Sequence, residues 1–364
     1  MSTDVPSPAQ NPFIEVSKEG KKKERKNMTR RVVIGMIGAG FLAELVHIIV
    51  KHRTSSAIRQ DLPEDPLERM MEAVKSVEEK GYAKTEWFHP AGHEGGEPWD
   101  PVVLVPQVHG DPWSGRVLEK DIPGMHACLQ TLLELERNGM RVFHCEGSPK
   151  GEKIPPYVLL DEGGNTLPSQ DIRQRMQSFD EFRFWLDRMS QAGRANLPIS
   201  QIFAGCSEDG TSVEGVESPA AFQEMKENIL RARELRQKLS FFLEEMSAHT
   251  VIVEQRGSQK FVCAGDAVFE MDILLSLLRE LVKVENESFD PSLHAEREEF
   301  AAAQHPSVLL FGMIHREAIR NHFIAKGRSV CQLLPVHMDP DAVNAKKEEI
   351  SHPLQRLISF LEEQ

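Results

Sequence analysis

Val308-Leu309-Leu310-Phe311-Gly312-Met313-Ile314-His315 decides how this chain reads: a short, unbroken apolar run that stops at a glycine and ends on a histidine. A run this brief, bounded by a turn signal, fits a strand buried on both faces of a parallel sheet. Helical spacing follows over Arg316 to Lys326, Gly327 stops it, and Ser329 to Pro335 is again strand-like. The order strand, helix, strand is a βαβ unit, whose crossover is right-handed.

Working towards the N-terminus, the same grammar recurs. Val102 to Val108 is strand-like and leads into His109-Gly110; Asp121 to Asn138 carries Met125, Cys128, Leu129, Leu132, Leu133 and Leu135 at helical spacing; Arg141 to Cys145 leads into Glu146-Gly147. The expected fold class is therefore α/β, with a central, mostly parallel sheet flanked by helices. Further helices are expected over Pro66 to Val74, Asp180 to Met189, Pro219 to His249, Ala267 to Val284 (capped near Gly265-Asp266) and Pro353 to Glu363, with a strand-like patch at Tyr157 to Leu160 and a loop at Trp87 to Asp100. The expected organisation is a disordered basic N-terminus over 1–31, a hydrophobic helix over 32–50, a helix and linker over 51–100, and an α/β domain over 101–364 with a helical insertion at 166–250.

The 364 residues are 40% hydrophobic and 27% charged, with a formal net charge of −13, which argues against nucleic-acid binding. The one dense basic run, Lys21-Lys22-Lys23-Glu24-Arg25-Lys26 with Arg30-Arg31, lies directly before the apolar stretch Val32 to Val50. That layout is signal-like. A spanning helix needs about 20 apolar residues, and a central acidic group costs about 2.5 kcal/mol or more; Glu44 lies off-centre, where the cost falls. We expect an uncleaved membrane anchor, ahead of a cleaved signal or an amphipathic helix, with the N-terminus cytoplasmic and the main domain outside the cytoplasm; the alternatives are a secreted or a cytoplasmic protein. Cys128, Cys145, Cys206, Cys263 and Cys331 are odd in number, scattered and without a C-x-x-C, so they read as core residues and not as a disulfide framework.

His109, Glu146 and His315 each stand where a strand should give way to a turn. Ligands of open α/β sheets bind outside the carboxyl ends of the strands, so these three are the candidate catalytic residues and, equally, candidate metal ligands. A helix start at His315 would favour a neutral imidazole. Asp111, Glu217 and Asp266 form a second tier. His89 and His93 lie in a Gly- and Pro-rich loop, Gly38-Ala39-Gly40 lies inside the hydrophobic stretch, and Ser148 and Ser207 lack a G-x-S-x-G context, so none of these carries a metal, dinucleotide or serine-nucleophile reading.

Val103 to His109, Val142 to Gly147, Gly215-Val216-Glu217, and Leu309 to His315 followed by Gly327 and Leu334-Pro335 together resemble the erythromycin esterase, ChaN, TraB and Tiki superfamily over roughly residues 101–337. The motif order His, Glu-Gly, Gly-Val-Glu, Gly-x-x-His carries the likeness, whereas Pro106-Gln107-Val108-His109 lacks a glycine three residues before its histidine. The resemblance implies an α/β domain with helical insertions and a His- and Glu-lined cleft. It implies a hydrolase in which His109 or His315 takes a proton from a water held by Glu146, with or without a divalent metal, acting on a small-molecule or peptide substrate. The alternatives are an iron-, haem- or small-ligand-binding domain without turnover, and a non-catalytic surface domain.

Overall fold

A computed structural model describes residues 63–93, 98, 100–109, 117–160, 165–191, 198–288, 290–338 and 353–364, all within one of the two units into which the chain divides, Leu62–Gln364. The expected disordered stretch 1–31 and hydrophobic helix 32–50 lie outside the described residues. Among the described residues no helix is long and apolar enough to cross a membrane.

Nine strands are described: β1 (Ala83–Phe88), β2 (Val102–Gln107), β3 (Val142–Pro149), β4 (Ser212–Glu217), β5 (Val251–Arg256), β6 (Gln259–Ala264), β7 (Ala267–Glu270), β8 (Val308–Gly312) and β9 (Val330–Pro335). Ten α-helices are described with them: α1 (Pro66–Glu79), α2 (Ile122–Arg137), α3 (Ser169–Met176), α4 (Phe179–Gln191), α5 (Pro198–Cys206), α6 (Pro219–Ala248), α7 (Met271–Ser288), α8 (Pro291–Ala303), α9 (Arg316–Ala325) and α10 over 353–362.

The protein is α/β, as its sequence implies. Its six-stranded sheet runs β1-β9-β2-β8-β3-β4, and every neighbouring pair is parallel except β1 with β9. Every residue of β2 and β8 is buried, because helices cover both faces. Val103, Val105, Phe143, Cys145 and Leu310 pack against α2 and its neighbours, while Val102, Leu104, Leu309 and Phe311 pack against α8 and α9.

Neither βαβ unit joins adjacent strands. The crossover from β2 through α2 to β3 skips β8, and that from β8 through α9 to β9 skips β2. The two move across the sheet in opposite directions, so right-handed connections place α2 on one face and α9 on the other. This interleaving sets β2, β8 and β3 side by side.

Several boundaries differ from the expectation. The domain begins before residue 101: α1 packs on the α2 side, and β1, part of which read as loop, forms the antiparallel edge. The stretch 166–250 is not a continuous helical insertion, since β4 within it joins the central sheet. Ala267–Glu270 is a strand, because Gly265-Asp266 makes a two-residue hairpin turn that pairs Ala264 with Ala267; β5, β6 and β7 form a separate antiparallel sheet packed on α6, α7 and α10. Tyr157 to Leu160 makes only an isolated bridge, Leu160 to Thr166, and Val158 and Leu160 are exposed. Helices α3, α5 and α8 were not anticipated. The five cysteines are all buried and free, as their reading as core residues required.

Candidate functional site

Glu146 lies within β3 and not beyond its end. The ladder between β3 and β8 closes at Cys145 and Leu310, and the register between β3 and β4 shifts between Cys145 and Pro149. Gly147 takes a φ of 94° there, which an L side chain rarely adopts. The irregularity turns the Glu146 carboxylate towards β8, where its Oε2 accepts the Gly312 N–H that β3 no longer pairs. A side chain on Gly312 would put its Cβ 2.8 Å from Glu146 Oε2 and 2.9 Å from His109 Nε2, so only glycine leaves room for the two groups to meet. His109, just past β2, places Nε2 2.9 Å from the same Oε2.

Behind this pair stands α8, which presents His294, Arg297 and Glu298 at i, i+3 and i+4 on one face. Arg297 bridges two carboxylates, with Nη2 2.7 Å from Glu146 Oε1 and Nε 2.6 Å from Glu217 Oε2. Glu217, at the end of β4, also accepts the Gly147 N–H and so holds the irregular part of β3 in place. His315 Nδ1 lies 2.7 Å from Glu298 Oε1, and its Nε2 is 3.6 Å from Glu146 Oε1. The His315 ring packs edge-on against Phe311 and His294, at 5.1 and 4.7 Å between centroids.

The structure thus brings together His109, Glu146, His315 and Glu217. Asp266 is elsewhere, in the turn between β6 and β7, where its N–H donates to Glu245. Asp111 lies outside the described residues. Sequence reading missed Arg297, Glu298 and His294; the one signal was Asp290-Pro291, an N-cap and N1 pair that starts a helix.

Burial by itself would raise the Glu146 carboxyl, but the His109 imidazole, then Arg297 and His315, outweigh it and hold the acid well below the usual carboxylate range. Burial lowers His294 to about 4, and the charges of His315 and Arg297 push the same way. Burial opposes the charge on Arg297, yet Glu217 and Glu146 raise its guanidinium above its ordinary value. An ionised Glu146 accepts the His109 Nε2–H, so whenever the ring is neutral its lone pair lies on Nδ1. Glu298 likewise accepts the His315 Nδ1–H, leaving Nε2 towards Glu146.

The His109 side chain is 25% exposed, against 2% for those of His315 and Arg297 and 8% for Glu146, so solvent reaches this cluster mainly at His109. Both oxygens of Glu146 are engaged, by Arg297 on one side and by His109 and Gly312 on the other. The acid is thus placed to orient the His109 imidazole. The same bonds argue against the expected metal ligands. A cation on Glu146 Oε1 would meet the Arg297 guanidinium already bonded there, and among the described residues no group of three or more His, Cys, Asp and Glu is placed to hold a metal ion.

Compared with family models, with curated proteins and with solved structures, the chain finds no match in any of the three.

Proposed function

We propose that this domain is a hydrolase in which His109 is the general base, Glu146 orients it, and Arg297 fixes Glu146. The observation that carries the reading is the 2.9 Å contact of His109 Nε2 with a buried, ionised carboxylate at the carboxyl edge of a parallel sheet, with His109 the open member of the cluster. In the reaction a water proton passes to His109 Nδ1 as the water oxygen bonds to an acyl carbon. The acyl–oxygen or acyl–nitrogen bond then breaks, and the proton returns to the leaving group. The superfamily likeness supports an ester or peptide-like small substrate, and the net charge of −13 supports no nucleic-acid partner. The basic run before Val32 supports an N-terminal membrane anchor with this domain outside the cytoplasm.

The near closure of the cluster supports one rival, a small-ligand-binding domain without turnover. A panel of p-nitrophenyl esters and peptide anilides separates the two. Hydrolysis that falls a hundred- to ten-thousandfold in His109→Gln, roughly the scale of general base catalysis, supports the hydrolase. Absence of hydrolysis across the panel, or activity that survives His109→Gln, overturns it.

A further inference from the structure

Gln107 is wholly buried, yet neither its amide nitrogen nor its amide oxygen has a hydrogen-bond partner among the described residues. A buried carboxamide unpaired at both ends is uncommon and calls for an explanation. Strand alternation places it on the face of β2 shared with Val103 and Val105, which pack against α2. Its register partner on β8 is Gly312, whose absent side chain would point to that same face, as those of Val308 and Leu310 do. Neighbouring strands lie about 4.8 Å apart, so the Gln107 backbone stands roughly one strand spacing from Gly312, above which His109 and Glu146 meet. The His109 Nδ1, the nitrogen left with the lone pair, is the third buried polar atom here without a partner.

We infer that Gln107 holds the attacking water against His109. The inference rests on the reading of His109 as general base and adds the residue that positions its reactant. A water between the two side chains accepts the Gln107 Nε2–H, donates one O–H to His109 Nδ1, and satisfies all three groups with its remaining proton on Gln107 Oε1. During attack the proton pointing at His109 is the one transferred, and the amide N–H keeps the oxygen lone pair aimed at the acyl carbon. A lone water suits the burial of Gln107; a bulky substrate group does not.

High-resolution crystal structures and steady-state kinetics of the wild type and Gln107→Met test this. Gln107→Met is expected to fold, since it removes two buried polar atoms and keeps the shape of the side chain. The wild type should show an ordered water within about 3.2 Å of both the Gln107 amide and His109 Nδ1. Gln107→Met should lose it, with kcat on p-nitrophenyl acetate about 100-fold lower and KM within about twofold, the signature of a misplaced reactant and not of weaker substrate binding. A wild-type structure without that water, a water retained in Gln107→Met, or hydrolysis lost in His109→Gln but unchanged in Gln107→Met overturns the inference and leaves the general base standing. A bridging water in a protein that hydrolyses nothing supports the placement and overturns the hydrolase reading instead.

Discussion

Replacing Arg297 with Met tests whether the buried ion network is held as described. The guanidinium is 2% exposed and bonds to Glu146 at 2.7 Å and to Glu217 at 2.6 Å, and the two acids are 8% and 0% exposed. Methionine fills the space but leaves two buried carboxylates without their cation. Removing one partner of a buried pair costs about 3–5 kcal/mol. At roughly 2–4 °C per kcal/mol for domains somewhat smaller than this one, the melting temperature should fall by about 10 °C. The loss should also depend on pH. Without Arg297 the folded Glu146 carboxyl loses one of the charges that hold it low and takes up a proton more readily than in the wild type, so the deficit shrinks as pH falls. In the wild type Glu146, held low, contributes stability above the unfolded carboxylate range, and that contribution is lost as pH falls through its folded value. Urea unfolding at pH 8 and pH 4 reads the deficit and its pH dependence. A deficit below about 1 kcal/mol, or one equal at the two pH values, would refute the network.

His294, lowered from 6.5 to about 4, stays neutral in the fold while the unfolded chain protonates, so the protein should lose about 3 kcal/mol between pH 6.5 and 4 on this account; His294→Gln should flatten that part of the stability profile, and an unchanged slope counts against it. In Gly312→Ala the new Cβ falls 2.8 Å from Glu146 Oε2 and 2.9 Å from His109 Nε2, which should cost about 1–3 kcal/mol and raise the Glu146 carboxyl as it parts from His109; carbonyl 13C titration reads the change, and an unshifted carboxyl sinks the geometry. Burial raises the thiols of Cys128, Cys145 and Cys331 and pushes Cys206 up to about 12, so none of the four should react with Ellman's reagent until urea unfolds the chain. Fast modification of the native protein at any of them would contradict the burial.

The amino-acid order alone carried the α/β class, the strands at Val102, Val142, Val308 and Val330, and the helices that connect them, because a buried parallel strand and an amphipathic helix each impose a local period that neighbouring residues must obey. It also pointed to His109 and His315, which follow β2 and β8 at one edge of the sheet, whereas Glu146 reaches them from within β3 through an irregularity that the sequence does not announce. Tertiary structure decided how these residues are partnered. Whether β8 lies between β2 and β3 depends on pairings across more than 150 residues, which no local period encodes. The irregularity at Glu146 lies where the β3–β8 ladder closes, at Cys145 and Leu310. Arg297 and Glu298 look like any solvated helix charges until packing buries α8 against the sheet, and desolvation then obliges each charge to find a partner. That search for partners, a consequence of burial and not of spacing, set Glu146 between the Arg297 guanidinium and the His109 imidazole.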